Sequence, residues 1–350
     1  MSLDIVALLA QDGIVNGAVY AMIALGCVLV FNVSRVVFVS FGDLIAYAAL
    51  TLATLQAGRV PGNVWLLVGL AFAACLVETV DLVRRRRFAS IPRALGLFGL
   101  APMLPVAAAV LLAGRQLPML VQILLAIALV LPLGPLIYRT VFQPMANASV
   151  LALLLAAVAI HFVFSGLALL FFGAEGYRTD SYVSGEIDVM GTSVSVLSMV
   201  IVAAVVCTVL VLHLVFEYST FGKALRATAI NPVGARVVGI RTTQAGSLAF
   251  LIATFMAALS GVLIGPLITV YYDTGFLVGL KGFVGAVVGG FVSYPLALGG
   301  ALAIGLIESF SSFYSSGFKD AIVFATLIPI VLLRWFATGS APADAEEEQI

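Results

Sequence analysis

The sequence predicts an all-α fold: a polytopic membrane helical bundle of about 10–11 spans, broken or re-entrant helices included. Three observations predict it. Of 350 residues, 63% are hydrophobic and only 10% are charged, whereas soluble domains carry roughly a quarter charged residues. The apolar residues fall in runs close to the roughly 20 that a helix needs to cross hydrocarbon. Lys and Arg concentrate in alternate connections, as expected of loops retained on the inner side. The formal net charge of zero gives no basic footprint for nucleic acid, so lipid is the expected surroundings.

In chain order the runs are 13–31, 41–57, 64–82, 95–114, 118–138, 150–172, 194–216, 245–270, 279–292, 296–313 and 320–336. The stretch before the first, Met1 to Gln11, lacks the basic n-region of a cleavable signal peptide. Runs 41–57 and 279–292 are short and edged by glycine, the mark of broken or re-entrant helices. Such backbone survives in a membrane only where protein or a water-filled cavity covers it. The tract Arg84-Arg85-Arg86-Arg87 with Arg93 is the strongest inside signal; it sets topology or contacts anionic lipid. Counting outward from it puts the N-terminus outside and the C-terminus inside. Loop 217–243 then lies inside with Lys223, Arg226, Arg236 and Arg241. Loop 173–193 lies outside with Glu175, Asp180, Glu186 and Asp188. Twelve of the 17 Lys and Arg fall inside, four outside, and Lys281 within a span. The acidic tail 339–350, with Asp344, Glu346, Glu347 and Glu348, reads as disordered.

Helices in lipid associate largely by close packing of small residues. Gly13/Gly17, Gly261/Gly265 and Gly285/Gly289 have that spacing. Ionisable groups at depth need partners. Glu78 and Asp81 read as partners of the arginine tract. Asp43, after Gly42, is either an N-cap or a pathway residue. Lys281 either snorkels outward or pairs with Glu308. His161 and His213, alone in apolar runs, read as helix–helix hydrogen-bonding residues. Cys27, Cys75 and Cys207 read as buried hydrophobes. No paired-His, Cys/His or Ser/His/Asp set is spaced for a metal or for catalysis. The phosphate-cradling G-x-x-x-x-G-K-[ST] pattern is missing; Thr220-Phe221-Gly222-Lys223-Ala224 lacks its first glycine and its hydroxyl. A transporter without that pattern uses an ion gradient, with Asp43, Lys281 and Glu308 as coupling groups, or takes ATP energy from a partner. A non-transporting scaffold is the third alternative.

Loop 217–243 has internal structure. Lys223 to Ile230 is helix-compatible. Asn231-Pro232 opens a second helix, Asn as cap and Pro at the first position, with Ala235 and Val238 sharing a face and Gly239 ending it. The segment from Phe221 to Ile240 resembles the cytoplasmic loop of LivH-type permeases of the branched-chain amino acid ABC importer family. Their pattern is G-[RK]-A-x-R-A-x-[AS]-x-[DN]-P-x-x-A-x-x-x-G-[IV]. Gly222, Lys223, Ala224, Arg226, Ala227, Asn231, Pro232, Ala235, Gly239 and Ile240 match it. Further similar stretches are Asn16-Gly17 with Tyr20-Ala21, Tyr138-Arg139, Ala257 to Leu263, Gly279-Leu280-Lys281-Gly282-Phe283, Gly305 with Glu308, and Phe318-Lys319-Asp320-Ala321.

The resemblance covers 13–57 and 135–336. It implies a single transmembrane permease domain over 1–338, with 60–116 an added pair of spans. It also implies that 217–243 couples to ATPases through Gly222, Lys223, Arg226, Ala227, Asn231, Pro232, Ala235, Gly239 and Ile240. Asn16, Asp43, Lys281, Gly282 and Glu308 become substrate-pathway candidates. The implied complex lies in a bacterial inner membrane. It contains a second permease (LivM-like or a second copy), two cytoplasmic ATPases that bind ATP and Mg, and an external solute-binding protein. The implied cargo is a small polar solute, branched-chain or other amino acids foremost, and the chain itself holds no cofactor. One departure stands out. The family's N-F-A-H-G-[DE] reads here Phe38-Val39-Ser40-Phe41-Gly42-Asp43, without the Asn and the His.

Overall fold

The computed structural model describes residues 3–84, 86–189 and 192–338; Arg85 and the acidic tail 339–350 lie outside the described residues. The helices follow the apolar runs. They are α1 (Leu3–Ser34), α2 (Phe41–Gln56), α3 (Asn63–Arg84), α4 (Ile91–Leu95), α5 (Ala101–Leu112), α6 (Met119–Val130), α7 (Leu133–Ile137), α8 (Val150–Phe172) and α9 (Val196–Tyr218). After them come α10 (Thr220–Ile230), α11 (Pro232–Val237), α12 (Thr242–Ile264), α13 (Thr274–Val288), α14 (Tyr294–Tyr314), α15 (Lys319–Ala325) and α16 (Leu327–Thr338). Among the described residues nine helical stretches are long and apolar enough to cross a membrane, α4–α5, α6–α7 and α15–α16 each counting as one. The protein is a multi-pass α-helical membrane protein.

The two runs read as broken are the two short apolar helices, α2 and α13. At about 1.5 Å per residue, the 16 residues of α2 reach about 24 Å against a hydrocarbon layer of about 30 Å. Fourteen of the 16 are buried, among them Asp43, so protein and not lipid surrounds this backbone, as a short intramembrane helix requires. Local chemistry sets the ends elsewhere. Pro132 parts α6 from α7 because proline cannot donate the helical hydrogen bond. The Ser149 hydroxyl accepts from the Ala152 amide and opens α8. Boundaries moved where sequence signals were weak: α1 begins at Leu3 and not Gly13, and α13 begins at Thr274 and not Gly279. The segment expected as an external loop contains a short hairpin, β1 (Glu186–Val189) antiparallel to β2 (Thr192–Ser195), with Ile187 opposite Val194.

The chain divides into two compact units. One comprises Met1–Val28, Val183–Leu210 and Leu280–Ile350; the other comprises Leu29–Tyr182 and Val211–Gly279. In the first, α1 packs on α14 through glycine. A Cβ on Gly305 would fall on the Gly13 carbonyl and the Gly17 backbone, and one on Gly17 would meet Leu302. Gly285 faces Ala301, and Gly289 faces Ala297 in the same way. In the second, α12 lies along α2, where Gly261 meets the Ile45 carbonyl and Ala48. Gly13, Gly17, Gly261, Gly285 and Gly289 are therefore helix contacts, as their spacing implies, whereas Gly265, just past the end of α12, meets Thr179 of a connecting segment. Gly305→Leu should part α1 from α14. Overpacking of this kind costs about 1–3 kcal/mol, so the apparent melting temperature in detergent should fall by several degrees. An unchanged melt would show that this contact carries little.

Candidate functional site

The first unit holds a largely buried four-residue polar network. Lys281 on α13 donates to Glu308 Oε1 on α14 at 2.6 Å and lies 2.8 Å from Asp320 Oδ1 on α15. Tyr20 on α1 donates its hydroxyl to Glu308 Oε2 at 2.5 Å. Both oxygens of Glu308 are thus engaged. The Lys281 and Glu308 side chains are 7% and 9% exposed, so water contributes little and each group depends on the partner it has, because an unpaired buried charge is costly. One ammonium stands between two carboxylates. Gly282 makes the geometry attainable: a Cβ there would strike Ile23, so α13 approaches α1 at the residue beside Lys281. Asn16 lies one turn before Tyr20 on α1, half-buried. The structure thus pairs Lys281 with Glu308, places Gly282 in a helix contact, and adds Tyr20 and Asp320.

Asp43 belongs to the other unit. It is the third residue of α2, not the N-cap: that position is Ser40, whose hydroxyl donates to the Ala157 carbonyl at 3.0 Å. Asp43 is buried and meets His161 Nδ1 of α8 at 2.9 and 3.0 Å through its two oxygens. The His161 ring stacks on Phe276 at 4.2 Å. Beside them Gly42 touches Gly275 and Gly279 backbone to backbone, a contact that no side chain fits. His161 is the helix–helix hydrogen-bonding residue expected, whereas His213 is exposed on α9. Glu78 on α3 takes a partner other than the one expected. Glu78 pairs with the buried Arg139, and Asp81 reaches the same guanidinium at 3.5 Å.

The basic loop forms two capped helices, α10 and α11, as its residues imply. Ser219 accepts from the Gly222 amide at 3.0 Å, and Gly222 abuts the Val215 and Phe216 backbone, where a Cβ would collide. The Asn231 side chain accepts from the Gly234 amide at 2.8 Å with Pro232 in the first turn. Gly239, at φ +88°, closes α11: its amide reaches the Arg236 carbonyl, and the Ile240 amide reaches that of Ala235, the pairing of a left-handed glycine stop. Arg226 bridges to Glu217 at 2.9 Å; both side chains are about half-exposed, so solvent screens the pair. Lys223 is exposed, and Ala227 is half-buried.

Two details depart from the expected helix faces. Ala235 is 4% exposed, packed within its own chain, while Val238 is 75% exposed. They do not share a face, because α11 ends before Val238. The open surface is formed by Phe221, Ile230, Val233, Val237 and Val238. Sequence reasoning misplaced Val238 and missed the other four, although large apolar side chains in a basic, polar loop were the available signal.

A family profile described as "Branched-chain amino acid transport system / permease component" matches residues 95–331. The permease protein LivH of the high-affinity branched-chain amino acid transport system of Escherichia coli (strain K12) is 32% identical over 215 residues, covering 59% of this chain and 70% of that protein. LivH of Salmonella typhimurium is 32% identical over 204 residues, 56% and 66% of the two chains. BraD, a permease protein of the corresponding system of Pseudomonas aeruginosa, is 27% identical over 333 residues, 92% of each. The profile match, the run of membrane helices and the paired capped helices of the basic loop agree: the chain belongs to the family of branched-chain amino acid ABC transport permeases, of LivH type.

Proposed function

We propose that this chain is the membrane-spanning subunit of an ABC importer for a small polar solute, with branched-chain or other amino acids as cargo, driven by ATP hydrolysed with Mg on two partner ATPases. A second permease chain, LivM-like or a second copy, and an external solute-binding protein complete the machine. The N-terminus faces outside and the C-terminus inside, so α10 and α11 are cytoplasmic. The observation that carries this reading is the exposed apolar surface of α10–α11, presented on helices fixed by Asn231-Pro232 and Gly239. An ATPase dimer changes shape through its cycle, and stiff, short helices transmit that motion better than a slack tether. Both helices contact α12, which lies along α2. A push on α11 thereby reaches the buried backbone around Asp43. Asn16, Lys281, Gly282 and Glu308 are assigned to the pathway or to its scaffold. Partner proteins, not residues of this chain, supply nucleotide and metal chemistry.

Two measurements test the reading. A cysteine at Val237, which is 83% exposed, introduced after Cys207 is replaced, should react with an impermeant thiol reagent only from the cytoplasmic side; reaction from outside in intact cells reverses the topology. Uptake by proteoliposomes holding the assembled complex should require ATP and survive collapse of ion gradients. Uptake driven by an ion gradient without ATP would instead establish a secondary transporter.

A further inference from the structure

The arginine-bearing turn between α3 and α5 has no place in the coupling scheme. Arg84, Arg86, Arg87 and Arg93 are all exposed and form no ion pair among the described residues. The nearby Glu78 does not neutralise them, because it is taken by Arg139. Arg86 stands at φ +58°, a left-handed position where glycine or asparagine would be at home. On both sides the chain presents large apolar surface: Val80 and Val83 on α3, then Phe88, Leu95, Leu97 and Leu100 after the turn, all exposed. Cations flanked in this way by lipid-facing helices lie at the plane where hydrocarbon gives way to headgroups.

We infer that this turn is a binding site for anionic phospholipid headgroups. Guanidinium matches phosphate bidentately, and clustered arginines just beyond a membrane helix attract acidic lipid. The apolar flanks favour lipid over a soluble polyanion, which would meet the turn from water and leave those flanks unused. The inference requires only that the chain spans a membrane, and it stands or falls apart from the importer reading.

The test uses the full chain in bilayers. The two tryptophans, Trp65 and Trp335, are replaced by Phe, and Phe88→Trp places one reporter beside the arginines. Quenching by brominated phosphatidylglycerol is compared with quenching by brominated phosphatidylcholine. The relative binding constant should favour the anionic lipid at least fivefold at low salt and fall toward one at about 0.5 M salt, as screening requires. It should also approach one in R84Q/R86Q/R87Q/R93Q. The corresponding lysine variant keeps the inside signal, and hence insertion, and should retain a reduced preference even if the glutamine variant inserts poorly. Equal quenching by the two lipids with the arginines intact overturns the inference. So does a preference that survives R84Q/R86Q/R87Q/R93Q, or one that appears only after residues 340–350 are deleted, which would make the acidic tail the occupant.

Discussion

Lys281→Met should be among the most damaging single changes in the protein. It leaves Glu308 buried with Tyr20 as its remaining partner, and breaking a buried pair on one side costs about 3–5 kcal/mol. The variant should show little folded protein after detergent extraction and a much lower melting temperature. Adding Glu308→Met to it should recover much of that loss, because an apolar pair of similar size removes the stranded charge. If the double variant is folded yet transports nothing, the network works in the pathway. If it transports normally, the network is scaffold. A Lys281→Met protein as stable as the parent would mean that water reaches Glu308 and that the network is not a sealed one.

The second large effect belongs to the exposed valines. Val233→Glu/Val237→Glu should lower ATPase co-purification at least tenfold, since a few well-packed side chains carry most of an interface's energy and buried unpaired charge is heavily penalised. Membrane level should not change, because both side chains face outward from the fold. Ala235→Glu should behave differently: that residue is covered by its own chain, so folded yield should fall along with coupling. Undiminished ATPase binding in the double valine variant would remove the docking role from this surface and weaken the importer assignment with it.

Short-range chemistry was the legible part. The glycine-edged brevity of α2 and α13, the Asn231-Pro232 start and the Gly239 stop follow from residues within a turn or two of each other. The Lys281–Glu308 pair was legible as one of two alternatives. Partners set by tertiary packing were not legible: Tyr20 meets Glu308 across 288 residues, and Asp43 meets His161 across 118. Glu78 shows how nearness in sequence misleads. Arg84, Arg86 and Arg87 are exposed, while Arg139, brought alongside by packing, pairs with it. The β1–β2 hairpin was missed because Glu-Ile-Asp-Val and Thr-Ser-Val-Ser are polar enough to pass for loop. Ala235 and Val238 were misjudged because a six-residue helix ends before its periodicity can assign the later residue a face.

The glycine contact between α2 and α13 also imposes a timetable on biosynthesis. A ribosome adds about 5–20 residues per second, so α2 leaves it roughly 6–24 s before His161 exists and roughly 10–50 s before Gly275 does. Through that interval a helix too short to seal itself, with an acid near its first turn, is without the imidazole and the backbone on which it finally rests. A lesion at His161 or Gly275 is therefore felt first as a failure of assembly, while the nascent chain is open to membrane proteases, and only in the survivors as a failure of transport.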